Sequence, residues 1–167
     1  MSSARALLRW QLQLAHELLE EAIAPLDALA GRRAARAAAC YADALIREDV
    51  GVNGVLAGSR PLALSTWAGR TGVSELPPLA GPIDWPAWAS RVELDLALLR
   101  PYAAAVYAAT DAYVAALTDD AFEPSPECLL TALLLTASMR RGEIACLLGG
   151  CAGARPTAVR QPRPWRA

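Results

Sequence analysis

Three polar side chains in the first third of this sequence could do chemistry. His16, the single histidine, lies in a segment whose leucines recur at spacings of three and four, as in a helix. An imidazole there could exchange protons, contact a substrate, or simply be solvated or hydrogen-bonded within the protein. Glu48 and Asp49 form an adjacent acidic pair that could act at a site, cap a loop or pair with arginine.

A second group of candidates lies near the carboxyl end. Thr136, Arg140 and Glu143 follow one another at spacings of four and three, which places them on one face of a helix. The four cysteines lack C-x-x-C spacing, which favours small buried hydrophobic residues over a nucleophile. Trp67 lies in a loop and could wall an apolar ligand pocket or cover the end of the core.

The elements that must position these residues are helices. Periodicity and capping residues predict four of them. They run from Ser2 or Ser3 to between Ala24 and Ala30, from about Arg33 to Leu56 with Gly58 as the stop, from the Asp84 cap to about Leu117, and from the Ser125 cap to Gly149–Gly150. Pro101 is expected to kink the third helix, and Ser65 to Gly69 to form a helical turn in the loop before it. The pattern predicts an all-α four-helix bundle with a long connection between helices 2 and 3.

Length and composition limit the function classes. The chain has 167 residues, 54% of them hydrophobic, and a net charge of -1, which suits one packed domain and argues against nucleic-acid binding by bulk charge. We expect a single domain over residues 1–151 and an extended or disordered Arg/Pro-rich tail over 152–167. The sequence predicts no membrane span, no secretion signal and no phosphate loop, hence a soluble, cytoplasmic protein without a cofactor. All its basic residues are arginine, which is typical of GC-rich coding such as that of actinobacteria.

Two stretches resemble a known family. Residues 47–58 (REDVGVNGVLAG) resemble the helix-2 signature of the DinB/YfiT-like superfamily, and residues 139–144 (MRRGEI) resemble its last-helix signature. The resemblance covers about residues 7–150. It implies a four-helix bundle, often dimeric, that holds a divalent metal with three histidines. Characterised relatives include thiol-dependent transferases and isomerases that use mycothiol or bacillithiol.

The positions that match the three metal ligands contain no histidine. The helix-2 ligand corresponds to Asp43, five residues before Glu48, and the last-helix ligands correspond to Thr136 and Arg140. Arginine cannot be deprotonated to donate to a metal, and its charge repels a cation. The resemblance therefore implies a member without the three-histidine metal site, and we predict no bound metal.

The resemblance also implies that Asp43 and Arg140 face each other inside the bundle. One hypothesis is a metal-free polar pocket in which Arg140 orients an anionic or carbonyl group and Asp43 or Glu143 acts as base. The other is a structural ion pair, because an unpaired charge inside a protein is costly. In the first case Asp43, Arg140 and Glu143 are the candidate catalytic residues, and the candidate substrate-binding residues are Thr136, Glu48, Trp67 and His16.

Three functions remain open at this point. The first is a small-molecule-binding, DinB-like homodimer, working as a metal-independent enzyme of specialised metabolism. The second is a non-catalytic dimeric scaffold that stabilises a partner through its helix faces. The third is a mycothiol-type thiol transferase.

Overall fold

The structure is a computed structural model that describes residues 4–79, 84–118 and 124–149. Within these ranges it contains five α-helices and no β-strand, so the all-α prediction is confirmed. The helices are α1 (Ala4–Ile23), α2 (Arg32–Asp49), α3 (Trp85–Arg91), α4 (Leu96–Ala116) and α5 (Pro124–Leu147). No described helix is both long and apolar enough to cross a membrane.

Helix α1 buries one stripe of side chains. Leu8, Leu12, His16, Leu19 and Ile23 lie at successive spacings of four, four, three and four, and all are buried. These spacings keep them on one face of the helix, so the only histidine of the chain points inward with the leucines. A 3₁₀-helix with Pro25 follows at Ala24–Ala28, within the predicted limits for the end of the helix.

Helix α2 is the central element. It packs against α1, α3, α4 and α5, and every residue from Ala37 to Ile46 is buried. Alanine makes this possible, because its small side chain lets neighbouring helices approach from all sides. Asp43 lies within this buried run, so its carboxylate must find its partners inside the protein.

The second predicted helix ends at Leu56 as expected, but its last seven residues are not α-helical. Residues Val50–Leu56 form a π-helix that continues directly from α2. Gly58 ends it with a φ of 60°, a left-handed conformation that glycine adopts without strain. The long connection that follows contains a 3₁₀-helix at Leu62–Leu64, and hydrogen-bonded turns continue through the predicted Ser65 to Gly69, where Ala68 N donates to Ser65 O at 3.2 Å.

The prediction of one long third helix is wrong. The chain forms α3 and α4 instead, and the backbone is extended at Val92 and at Asp95 between them. Asp84 caps α3 as predicted, and Asp95 caps α4 by accepting hydrogen bonds from two backbone N–H groups. Pro101 lies inside α4 and does not end it.

The other predicted boundaries differ less. Helix α5 begins at Pro124, so Ser125 lies inside its first turn rather than at its cap. The predicted caps Ser2 and Ser3 and the tail at 152–167 lie outside the described residues.

Candidate functional site

Asp43 and Arg140 form an ion pair inside the protein. The Asp43 side chain is fully buried, and its Oδ2 accepts hydrogen bonds from Arg140 Nη2 at 2.7 Å and Nε at 3.0 Å. Its Oδ1 accepts a third hydrogen bond, from Arg47 Nε at 2.9 Å. The predicted pairing is therefore present, and both oxygens of the carboxylate are occupied.

The remaining partners of Arg140 complete a compensated cluster. Its Nη1 donates to Glu143 Oε2 at 2.5 Å, and its guanidinium lies 4.7 Å from the centroid of the Trp85 ring. Burial lowers the pKa of Arg140, but Glu143 and Asp43 outweigh burial and raise it, so the cation is stabilised. Two arginines and two carboxylates balance in this cluster, an arrangement typical of a structural pair.

Thr136 and Trp67 make no described hydrogen bond to this cluster. The Thr136 hydroxyl donates to the carbonyl oxygen of Ala132 in its own helix at 2.9 Å, so the hydroxyl is used within α5. The Trp67 ring packs edge-on against Tyr102, with centroids 5.9 Å apart. The Thr136 hydroxyl thus makes no described hydrogen bond to the ion pair, and Trp67 packs against the core.

Glu48 and Asp49, the adjacent acidic residues of α2, have different roles. The fully buried Asp49 carboxylate accepts four hydrogen bonds, each 2.8 Å long. The donors are Asn53 Nδ2, the backbone N–H groups of Leu62 and Ala63, and the Tyr102 hydroxyl. Asp49 thus ties the long connection and α4 to the end of α2.

Glu48 instead faces His16. The imidazole Nε2 lies 2.9 Å from Glu48 Oε1 and 3.0 Å from Oε2, and both residues are buried. The Thr110 hydroxyl donates to Oε1 at 2.6 Å. The Tyr107 ring stacks on the imidazole, with centroids 3.9 Å apart and planes 19° apart. Side chains from two helices, α2 and α4, thus fix the orientation of the His16 imidazole on α1.

This geometry determines which nitrogen of His16 is available. A carboxylate only accepts hydrogen bonds, so Nε2 carries the proton of the neutral imidazole when Glu48 is ionised. Nδ1 then has a free lone pair, and no described residue donates a hydrogen bond to it. The arrangement resembles an oriented general base, with a buried carboxylate behind the imidazole.

His16 lines a cleft between α1 and α4. The cleft has a volume of about 490 Å³, and its wall comes from α1 between Arg9 and Glu17 and from α4 between Tyr107 and Val114. This volume is in the range of small-molecule sites. Asp43, Arg140 and Glu143 are not among its lining residues, so this cleft is separate from the predicted catalytic residues and is lined instead by the candidate substrate-binding residue His16.

The sequence analysis did not predict the hydrogen bonds to Glu20 that hold Tyr107 beside His16. The Tyr107 hydroxyl donates to Glu20 Oε1 at 3.0 Å, and the Tyr41 hydroxyl donates to the same oxygen at 2.5 Å. Burial is the largest cause that raises the pKa of both tyrosines, so they remain protonated donors. The available signal was the four-residue spacing of His16 and Glu20, which places both on one face of α1.

Arg9 and Asp111 lie at the rim of the cleft. Arg9 donates two hydrogen bonds to Asp111, at 2.7 and 2.6 Å, and Gln13 adds a third at 2.8 Å. The hydrogen bond from Arg9 is the largest cause that lowers the pKa of Asp111 below its usual value of 3.8.

The lowered pKa of Asp111 predicts a pH-dependent contribution to stability. A carboxyl group with a depressed folded-state pKa stabilises the fold above its unfolded pKa, and this contribution is lost as the pH falls through the folded value. We expect Asp111→Asn to lower the thermal midpoint at about pH 6 and to match the unaltered protein at about pH 2. A difference in midpoint that stays constant over this range would contradict the assignment.

Cys40 is not suited to nucleophilic chemistry. Burial raises the pKa of its thiol to about 12, so the thiolate is scarce at neutral pH. Cys128 is exposed, so the prediction of buried cysteines fits Cys40 and not Cys128.

No group of three or more His, Cys, Asp or Glu side chains suited to a metal ion occurs among the described residues. Comparisons with known protein families, characterised proteins and solved structures find no match to this chain.

Proposed function

We propose that the protein binds a small molecule in the cleft between α1 and α4 and that His16 acts there as a general base without a metal. The observation that carries this proposal is the buried His16–Glu48 pair at the cleft, with Nε2 bound to the carboxylate and Nδ1 left without a described partner. A base so placed meets a ligand in a partly dehydrated site, where proton transfer is most effective.

The residues around His16 have separate parts in this function. His16 accepts a proton at Nδ1, and the resulting imidazolium is stabilised by Glu48 at 2.9 Å. Thr110 holds the carboxylate, and the Tyr107 ring holds the imidazole plane. Apolar side chains such as Leu12 and Val114 contribute the rest of the wall and exclude water from it.

We also propose that the chain is a divergent DinB/YfiT-like four-helix bundle formed by α1, α2, α4 and α5. The support is the meeting of Asp43 and Arg140 at 2.7 Å, since the two residues stand at positions that share one metal in relatives. In this proposal the ion pair replaces the metal as a structural link between α2 and α5, and the chemistry lies at His16.

The general base is tested with a probe that needs only a base and an apolar cleft. We expect the protein to accelerate the ring opening of 5-nitro-1,2-benzisoxazole, in which a base takes the C3 proton as the N–O bond breaks, so that C3 becomes a nitrile and the oxygen leaves as a coloured nitrophenolate. His16→Gln keeps a hydrogen-bonding group near Glu48 but has no basic nitrogen. It should lower kcat/KM about 100-fold, the scale of a lost general base.

Glu21→Gln is the matched control for this assay. Glu21 is exposed on α1 and does not line the cleft, so its variant should retain the full rate. The circular dichroism spectrum of each variant reports whether it is folded. Equal rates for folded His16→Gln and the unaltered protein would refute the assignment of the base.

The family proposal predicts a protein without a tightly bound metal. Its basis is the presence of Asp43, Thr136 and Arg140 at the three ligand positions of the motif. Elemental analysis of purified protein is expected to find far less than one equivalent of zinc, nickel or iron per chain. About one equivalent that is lost in the Asp43→Ala variant would overturn the prediction.

A further inference from the structure

We infer that the ligand of the α1–α4 cleft is a small amine bound in its ammonium form. This inference rests on the proposed function of the cleft and adds the chemical class of the ligand. Its basis is the set of hydrogen-bonding groups and charges that the cleft leaves uncompensated.

Most of the donors in the cleft wall are already used within the protein. Three of them point to carboxylates of this chain at 3.0 Å or less. They are the Thr110 hydroxyl to Glu48, the Tyr107 hydroxyl to Glu20, and Gln13 Nε2 to Asp111. A ligand that needs donors therefore finds few of them.

Two groups of the wall that are left for a ligand are acceptors. The His16 side chain is nine-tenths buried, lines the cleft, and has at Nδ1 a lone pair without a described partner. Glu17, the next residue of α1, also lines the cleft and makes no hydrogen bond or ion pair within the described part of the chain. An ammonium group has three donors and no acceptor, so it matches these two groups.

The charges favour the same ligand. The one arginine of the wall, Arg9, is already paired with Asp111 at 2.6 Å, whereas Glu17 has no described cation. Glu48 adds a second carboxylate behind His16. A carboxylate or phosphate ligand would meet like charges and a lone pair here, whereas an ammonium ion is attracted by both carboxylates.

The test uses His16 as its own reporter, since the chain has no other histidine. The imidazole signals are followed by NMR during titration, at about pH 8, with three probes of equal chain length: n-butylammonium, n-butanol and butyrate. We expect butylammonium to shift the signals saturably with a Kd about tenfold below that of butanol, and butyrate to cause no shift.

Two variants test whether the carboxylate of Glu17 attracts the ammonium group. Glu17→Gln should weaken butylammonium binding about threefold, the scale of a partly exposed charge pair, and leave butanol binding unchanged. Glu21→Gln, one turn further along α1 and outside the cleft, should bind butylammonium as the unaltered protein does.

The outcomes separate this inference from the proposed function. If butanol or butyrate binds as well as butylammonium, or if Glu17→Gln has no effect, the amine class is wrong and the cleft remains a binding site. If no probe shifts the His16 signals, the inference is also overturned, and the benzisoxazole assay decides independently whether His16 is a base.

Discussion

Replacing Asp43 with alanine is expected to lower the free energy of unfolding by about 3–5 kcal/mol, the scale of a broken buried ion pair. The Asp43 carboxylate is fully buried and holds two guanidinium groups, Arg140 at 2.7 Å and Arg47 at 2.9 Å. Its loss leaves the Arg140 cation, whose side chain is 17% exposed, without its main buried partner. The large cost comes from that uncompensated charge more than from the lost attraction.

The double variant Asp43→Ala/Arg140→Ala should be more stable than Asp43→Ala alone. It removes the Arg140 cation together with the Asp43 carboxylate. The remaining cation, Arg47, has a side chain that is 24% exposed, so water can solvate it. Urea unfolding of both single variants and the double variant gives the coupling energy.

The Asp27–Arg100 pair provides the control for this cycle. Its side chains are 64% and 34% exposed and lie 2.8 Å apart, so its coupling should be only about 0–1 kcal/mol. Additive losses at Asp43 and Arg140 would show that the buried pair does not act as a unit.

The sequence predicted the pairing of Asp43 with Arg140, and it identified His16 and Glu48 as candidates without predicting that they pair. Asp43 and Arg140 were connected through the resemblance of residues 47–58 and 139–144 to two signatures of one family, and the expected ion pair is present. His16 and Glu48 are 32 residues apart on different helices. Helical periodicity assigns each of them to a face but does not determine which residue of one helix lies opposite which residue of another.

The division of the predicted third helix has a similar cause. Asp95 is a good cap, but the chain around it has helical periodicity, and the expected irregularity was a kink at Pro101. The actual break depends on contacts with the long connection: Val73 forms an isolated bridge with Leu94, and Asp95 N donates to Gly72 O at 2.8 Å. Such contacts between distant segments override local helix propensity, and a local sequence pattern does not predict them.

Glu48 and Asp49 show most clearly what a motif leaves undecided. Neighbouring residues of an α-helix point about 100° apart, so Glu48 faces His16 of α1 and Thr110 of α4, while Asp49 faces the long connection and Tyr102 of α4. The motif identifies both residues without distinguishing them. Of the two, only Glu48 contacts His16, which lines the cleft. Asp49 is a structural residue, and its loss should lower the stability of the fold rather than the activity at the cleft.

Asp49→Ala is expected to lower the free energy of unfolding by about 4–6 kcal/mol, since four hydrogen bonds to a buried charge are lost at once. The backbone N–H groups of Leu62 and Ala63 would be left without their acceptor, and the connection between α2 and α3 would be released from the core. Burial raises the pKa of Tyr102, and Asp49 raises it further, so its hydroxyl remains a donor.

A loss of this size could unfold a marginally stable protein, so Tyr102→Phe provides the graded measurement. It removes one of the four donors and keeps the ring, and it should cost about 1.5–3 kcal/mol in urea unfolding. Because the cleft does not include Asp49 or Tyr102, folded Tyr102→Phe should retain the benzisoxazole activity that His16→Gln loses. Unchanged stability in Tyr102→Phe would mean that the Asp49 hydrogen bonds do not hold the connection. Lost activity in a folded variant would instead place Asp49 in the chemistry of the site.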